Sequence, residues 1–156
     1  MNFFQQYDSM DCGPTCLRMV ADHYGKQFSL QFLRDHCYLD RAGVSMRGIG
    51  EAAEKIGMRT LVAKLAFEDK GEEDPGLLDA PLPCIVHWQQ QHFVVVYRVN
   101  KKFVWIADPA EGKRKISHEE FKRNWLSDGA TGIAMILDPT PEFYQQDEVK
   151  SSHKGF

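Results

Sequence analysis

Cys12, in the stretch MDCGPTC, stands between an acid and a Gly-Pro, directly ahead of a long apolar-periodic segment. Four chemistries fit a cysteine so placed: a metal ligand, half of a disulfide, a buried packing residue, or a nucleophile at the mouth of a helix. A thiol attacks only as its thiolate, and an ordinary cysteine with a pKa of ~8.5 is mostly protonated at neutral pH. The free N–H groups and dipole of a helix N-terminus favour an anion there, and Gly13 leaves the backbone around Cys12 open. Cys16, one turn further in, reads as a small core residue.

A catalytic thiolate wants an imidazole partner, and the chain has six histidines. His23 and His36 fall late in predicted helices, His118 in a capping turn and His153 in a polar tail. His87, inside IVHW, reads as packed within a sheet. His92 opens the most hydrophobic stretch, HFVVVYRV, directly after QQQ, so it belongs at a strand end beside a turn, where a side chain reaches a cleft. Asp108 ends another apolar run, KFVWIAD, and Pro109 stops further pairing. If these two strands form a hairpin about Asn100-Lys101, the start of one lies beside the end of the other, and His92 and Asp108 share one sheet edge. Asp108 also has a plain reading as a turn residue before proline. The whole is a Cys on a helix N-terminus and a His with its orienting acid on a sheet, the arrangement of papain-like enzymes. Acyl transfer further needs donors aimed at the developing oxyanion: the Cys12 N–H is one, and Gln5 and Gln6 are both available upstream as a second.

The elements that must position these groups follow from periodicity. A first helix over 12–24 carries Leu17, Val20, Ala21 and Tyr24 at helical spacing, tolerates Pro14 in its first turn and stops at Gly25. Ser29 is a plausible cap for a short helix through Leu33 to Cys37, and Ser45 for a third, MRGIGEAAEKIG, closing on Gly57. From residue 58 the text changes to β-branched and aromatic runs: RTLVAKL, LPCIVHW, HFVVVYRV, KFVWIAD and TGIAMILD. Ser117 to Glu120 has the spacing of a capping box and leads a further helix into Phe121 and Trp125. Short connections imply an antiparallel sheet with helices packed on it, an α+β domain over 1–139. The acidic stretch 68–76 reads as a solvated loop. Residues 140–156 are polar, Pro-broken and aperiodic, and read as a tail or linker.

Composition limits the alternatives. With 156 residues, 43% hydrophobic and 26% charged, the chain suits one ordinary core, and a net charge of −3 with scattered Lys and Arg gives no footprint for nucleic acid. No run approaches the ~18 apolar residues of a membrane span, and the N-terminus lacks the pattern of a signal peptide, so a cytosolic chain with four reduced cysteines is expected. Cys12 and Cys16 have no second Cys or His pair at zinc-ligand spacing. GIGEAA is an incomplete glycine fingerprint with no strand before it.

Taken together, QQYDSMDCGPTCLRMVADHYG, QHFVVVY and IADP closely resemble the bacteriocin-processing double-glycine peptidases, the cysteine protease domain at the N-terminus of peptidase-containing ABC transporters. The resemblance runs from about residue 4 to residue 139. The family's pattern is a Gln six positions before the Cys of a DCG element, a His opening an HxVVV-type strand and an Asp in an ADP element. These fall on Gln6, Cys12, His92 and Asp108, and Gln5 is one position off. The resemblance implies a papain-like fold and a Cys-His-Asp endopeptidase that cuts a precursor after Gly-Gly or a similar small pair, with Gln6 in the oxyanion hole and no metal or cofactor. It also implies a helical leader peptide as substrate, lying in a shallow apolar groove; the sequence does not show which residues line that groove, and Tyr7 and Met10, on the segment entering the site, are candidates. The remaining partners would be the transmembrane and ATP-binding domains of an exporter, with the domain on the cytosolic side of the membrane and 140–156 leading toward them. The other reading kept open is a non-catalytic module that docks leader peptides, in which Cys12 is unused. Which precursor is cut, and the oligomeric state, are not legible in the sequence.

Overall fold

Helix caps explain where the first third of the chain turns. The computed structural model describes residues 1–6, 11–37, 39–40, 43–71, 73 and 75–148. Helix α1 (Cys12–His23) carries Pro14 in its first turn, where the missing N–H costs nothing. In α2 (Leu30–His36) the Ser29 hydroxyl accepts the Phe32 N–H at 3.1 Å, and in α3 (Met46–Lys55) Ser45 accepts the Gly48 N–H at 3.1 Å. Each such cap is worth about 1 kcal/mol. Between α2 and α3 lies a small antiparallel ladder absent from the sequence expectation, β1 (Leu39–Asp40) with β2 (Gly43–Val44).

Six further strands form one antiparallel sheet: β3 (Met58–Ala66), β4 (Cys84–Trp88), β5 (His92–Val99), β6 (Phe103–Asp108), β7 (Gly112–Ser117) and β8 (Thr131–Pro139). Helix α4 (His118–Trp125) joins β7 to β8, and Ser117 accepts the Glu120 N–H at 3.1 Å as its cap. The order across the sheet is β3-β8-β4-β5-β6-β7, so the last strand inserts between β3 and β4. Phe93, Val95, Ala107 and Met135 bury against α1 to α3 on one face. Val94, Val96, Ile106 and Ala134 bury with Phe121 and Trp125 of α4 on the other. Both faces are covered, which is why these strands read as continuous apolar runs rather than as an alternation. Strand β7, GKRKIS, was not among the expected strands: it lies at the sheet edge and buries only Ile116, so its sequence carries little hydrophobic signal.

The segment expected to be a tail from residue 140 departs from that reading at its start. Pro141–Gln145 form a short helix, α5, and Phe143 is fully buried among Phe28, Ile56 and Met58 of the main core. Gly57, with φ +94°, makes room for it: a Cβ there would stand 2.4 Å from the Phe143 nitrogen. The packed body therefore extends past Pro139. A single buried aromatic in a polar, Pro-broken stretch makes no periodic pattern, and only the pocket waiting for Phe143 identifies it as core. The loop over 68–75 is exposed where described, and it ends on Gly76, which is buried against the backbone of Phe67 and Glu68.

Candidate active site

Three elements bring Cys12, His92 and Asp108 together. Cys12 is the first residue of α1 and is 5% exposed. His92 is the first residue of β5 and Asp108 the last of β6. The His92 Nε2 lies 2.6 Å from Asp108 Oδ1, and the same ring is in hydrogen-bond contact with the Cys12 side chain. With Nε2 taken by Asp108, Nδ1 is the nitrogen left for the thiol. Asp108 is also the turn residue of the plain reading: Oδ1 accepts the Ala110 N–H at 2.9 Å while its carbonyl accepts the Glu111 N–H at 3.1 Å. One carboxylate oxygen thus closes the β6–β7 turn and orients the imidazole.

The hairpin carrying His92 and Asp108 is less regular than expected. Its turn is held by Asn100, whose Oδ1 accepts the Lys102 and Phe103 N–H groups at 2.9 and 2.7 Å. Val99 pairs with Val104, but further along Val96 pairs with Ile106 and Val95 with Ala107, because Tyr97 is an extra residue on β5. Without that bulge the register would set Asp108 opposite Val95, on the side of the ribbon away from His92. With it, Asp108 falls opposite Val94, whose side of the ribbon His92 shares, within diagonal reach.

Charge in this site is set by burial and by the pair. Burial alone works against a charged His92, but its bonds to Asp108 and Cys12 outweigh that and lift its pKa to about 9. Burial likewise opposes the Asp108 carboxylate, yet the His92 and Ala110 donors, with the positive charges of His92 and Arg114, hold it below its ordinary range. The pair is an imidazolium and a carboxylate at neutral pH. The other thiols are kept protonated: burial pushes Cys37 and Cys84 up to about 12, and Cys16 well above its ordinary value with help from the neighbouring Cys12 and Asp108. Cys16 is the core residue its position suggested, and its thiol donates to the Phe93 carbonyl at 3.3 Å, tying α1 to β5.

Gln6 is drawn to the same corner, since its N–H donates to the Pro109 carbonyl at 3.0 Å, one residue past Asp108; its side-chain oxygen is buried, whereas Gln5 is exposed. Tyr7 and Met10 lie outside the described residues. Sequence reading missed Arg34 of α2, whose Nη2 binds the buried Asp11 carboxylate at 2.6 Å. Asp11 occupies the cap position of α1 but makes no capping bond; it anchors the residue before Cys12 to α2 instead. The only sequence signal was an acid directly before the cysteine. His87 is half-buried against Phe93, and burial lowers its pKa. It lines, with Met46, Gln91, Phe93 and Ile133, a cavity of about 320 Å3 beside the start of β5. His118 contacts the Asn100 carbonyl at 2.8 Å, away from the site. Among the described residues no group of three His, Cys, Asp or Glu side chains converges as a metal site, and no helix is long and apolar enough to cross a membrane.

Known proteins share this chain's sequence and shape. The profile of the Peptidase C39 family matches residues 1–142. The lactococcin-G-processing and transport ATP-binding protein LagD of Lactococcus lactis is 37% identical over 142 residues, which is 88% of this chain and 19% of LagD. The colicin V secretion/processing ATP-binding protein CvaB of Escherichia coli is 35% identical over 141 residues, 90% of this chain and 18% of CvaB. The chain thus spans about a fifth of the length of these relatives. Among solved structures, a double glycine motif protease from an AMS/PCAT transporter, in complex with the leader peptide, superposes with a TM-score of 0.75 at 31% identity, covering 89% of this chain and 91% of that one. The peptidase domain of Streptococcus ComA, a bifunctional ABC transporter of a quorum-sensing pathway, gives 0.74 at 32% identity, covering 88% and 97%.

Proposed function

The chain belongs to the peptidase C39 family, and from that premise we propose that it is a cysteine endopeptidase domain that removes the leader of a precursor peptide after a Gly-Gly type pair, in the service of an ABC exporter. The observation that carries this reading is the His92–Asp108 pair at 2.6 Å with Cys12 on the same imidazole at the start of α1. In the mechanism, the thiolate Sγ of Cys12, paired with the His92 imidazolium, attacks the carbonyl carbon of the second glycine. The oxyanion is received by the Cys12 N–H and the Gln6 side-chain amide. As the tetrahedral adduct collapses to a thioester, the imidazolium passes its proton to the leaving amine; His92 then takes a proton from water, which attacks the thioester and frees the thiolate. Asp108 holds the ring through Nε2 and stabilises its charge throughout.

The substrate is a peptide whose leader lies along an apolar surface beside β5, where the cavity lined by Met46, Phe93 and Ile133 opens. The small pair suits a site in which Cys12 is almost wholly enclosed, since glycine brings no side chain into it. In the exporter the domain works on the cytosolic face, and the segment past α5 leads toward the transmembrane and ATP-binding domains. The test is mass spectrometry of a synthetic leader-core peptide containing Gly-Gly, incubated under reducing conditions with the domain and with Cys12→Ala. The expected outcome is one cut after the second glycine, absent in Cys12→Ala, and slowed about 100-fold or more in Gln6→Ala. Binding of diverse leaders without cleavage by the unaltered domain would overturn the peptidase and favour a docking module.

A further inference from the structure

The turn that delivers His92 is held in an unfavourable backbone conformation by the end of α4, which packs on the sheet face opposite α1. Strands β4 and β5 are joined by Gln89-Gln90-Gln91, and the Trp88 carbonyl accepts the Gln91 N–H at 3.2 Å across the turn. Gln89 and Gln90 have φ of +53° and +61°, the left-handed region that such tight hairpins require and that Asn and Gly fill with least strain. Two glutamines there need outside support. It comes from the last turn of α4. The Asn124 carbonyl, one of the helix-end carbonyls that lack an intrahelical partner, accepts the Gln89 N–H at 2.8 Å, and Asn124 Oδ1 accepts Gln89 Nε2 at 2.9 Å. The Asn124 side chain is fixed in turn, since its Nδ2 donates to the Glu120 carbonyl at 2.9 Å.

The helix end does not drift. Trp125 is buried, donates through Nε1 to the Ile133 carbonyl at 3.0 Å, and lies so close over Gly132 that a Cβ there would stand 2.4 Å from the ring. Resting on the proposed peptidase reading, we infer that Asn124 and Gln89 are a positioning pair: their double hydrogen bond fixes the strained turn three residues ahead of His92 and so sets how the imidazole meets Cys12. The same turn presents Gln90 and Gln91 to the cavity beside β5, so one clamp registers the proton-transfer group and the rim of the substrate surface together.

Three variants are compared with the unaltered domain by steady-state cleavage of a Gly-Gly leader-core peptide and by iodoacetamide labelling of Cys12 at pH 7, well below the unfolding temperature of each: Asn124→Ala, Asn124→Asp and His92→Ala. Asn124→Ala is expected to lower kcat about tenfold with KM changed less than twofold, and to slow Cys12 labelling in parallel, because small misplacements of a reacting group cost rate steeply. Asn124→Asp, which keeps the oxygen that Gln89 reaches, is expected to restore most of kcat. Wild-type kcat and labelling in Asn124→Ala, with both lost in His92→Ala, overturn the clamp and leave the peptidase reading standing. A fall in kcat that Asn124→Asp shares in full also overturns it, since the helix end and not the bond to Gln89 would then be responsible. Wild-type behaviour in His92→Ala overturns the peptidase reading and the clamp with it.

Discussion

At the scale of the residue, His92 is pulled two ways, and the outcome sets how the domain responds to pH. Burial disfavours the charged ring, but the bonds to Asp108 and Cys12 win and raise its pKa to about 9, against ~6.5 in an unfolded chain. A group raised on folding stabilises the fold fully below its unfolded value and loses that contribution as pH rises through its folded value. The stability advantage of the wild type over His92→Gln is therefore expected in full near pH 6 and gone above about pH 9.5, as urea unfolding at a series of pH values would reveal. Asp108, pulled below its ordinary range, adds the opposite dependence: its contribution is present above ~pH 4 and fades as pH falls further. Cleavage should share the upper limit, with kcat/KM declining as His92 loses its proton near pH 9. A rate still climbing at pH 10 would mean that this imidazole is not the group that matters.

At the scale of the element, α1 presents Cys12 only as well as its N-terminus is anchored. Asp11 does not cap the helix; it reaches across to Arg34, so α2 takes over the job of fixing the chain before Cys12. Replacing Arg34 with Met leaves the Asp11 carboxylate, 2% exposed, without that partner. The expected cost is about 1.5–3 kcal/mol in chemical unfolding, the usual loss when a buried charged group forfeits its hydrogen bond. Asp11→Asn combined with Arg34→Met is expected to recover part of it, since no charge then stays buried. If the single change proves neutral, the pair is incidental to α1 and its 2.6 Å contact does not hold the helix start.

At the scale of the whole molecule, the core extends beyond the last strand. Phe143 of α5 closes it by packing on Phe28 and on the tight turn at Gly57. Phe143→Ala is expected to destabilise the domain by about 3–5 kcal/mol, and truncation after Pro139 by at least as much. Thermal unfolding of the two shortened or hollowed chains, compared with cleavage at low temperature, tests whether α5 supports only the fold. Since the aromatic and turn contacts of Phe143 are with Phe28, Tyr144 and Gly57 and with none of Cys12, His92 and Asp108, the surviving folded fraction should cut at the wild-type rate.

The sequence by itself determined the family and most of the elements. Capping serines, helical spacing and β-branched runs are local signals, and they located α1 to α4 and five of the six main-sheet strands to within two residues, with His92 and Asp108 on a shared edge. Charged β7 and aperiodic α5 escaped because each contributes a single buried residue, Ile116 or Phe143, too little to form a pattern. Only the tertiary structure decided three things. One is the insertion of β8 between β3 and β4, which depends on pairing between distant segments. Another is the Tyr97 bulge, a one-residue slip that puts Asp108 on the same side of the ribbon as His92 and leaves no trace in an apolar run. The last is the support behind the site, Arg34 on Asp11 and Asn124 on Gln89, because long-range hydrogen bonds between polar side chains impose no periodicity on the text that encodes them.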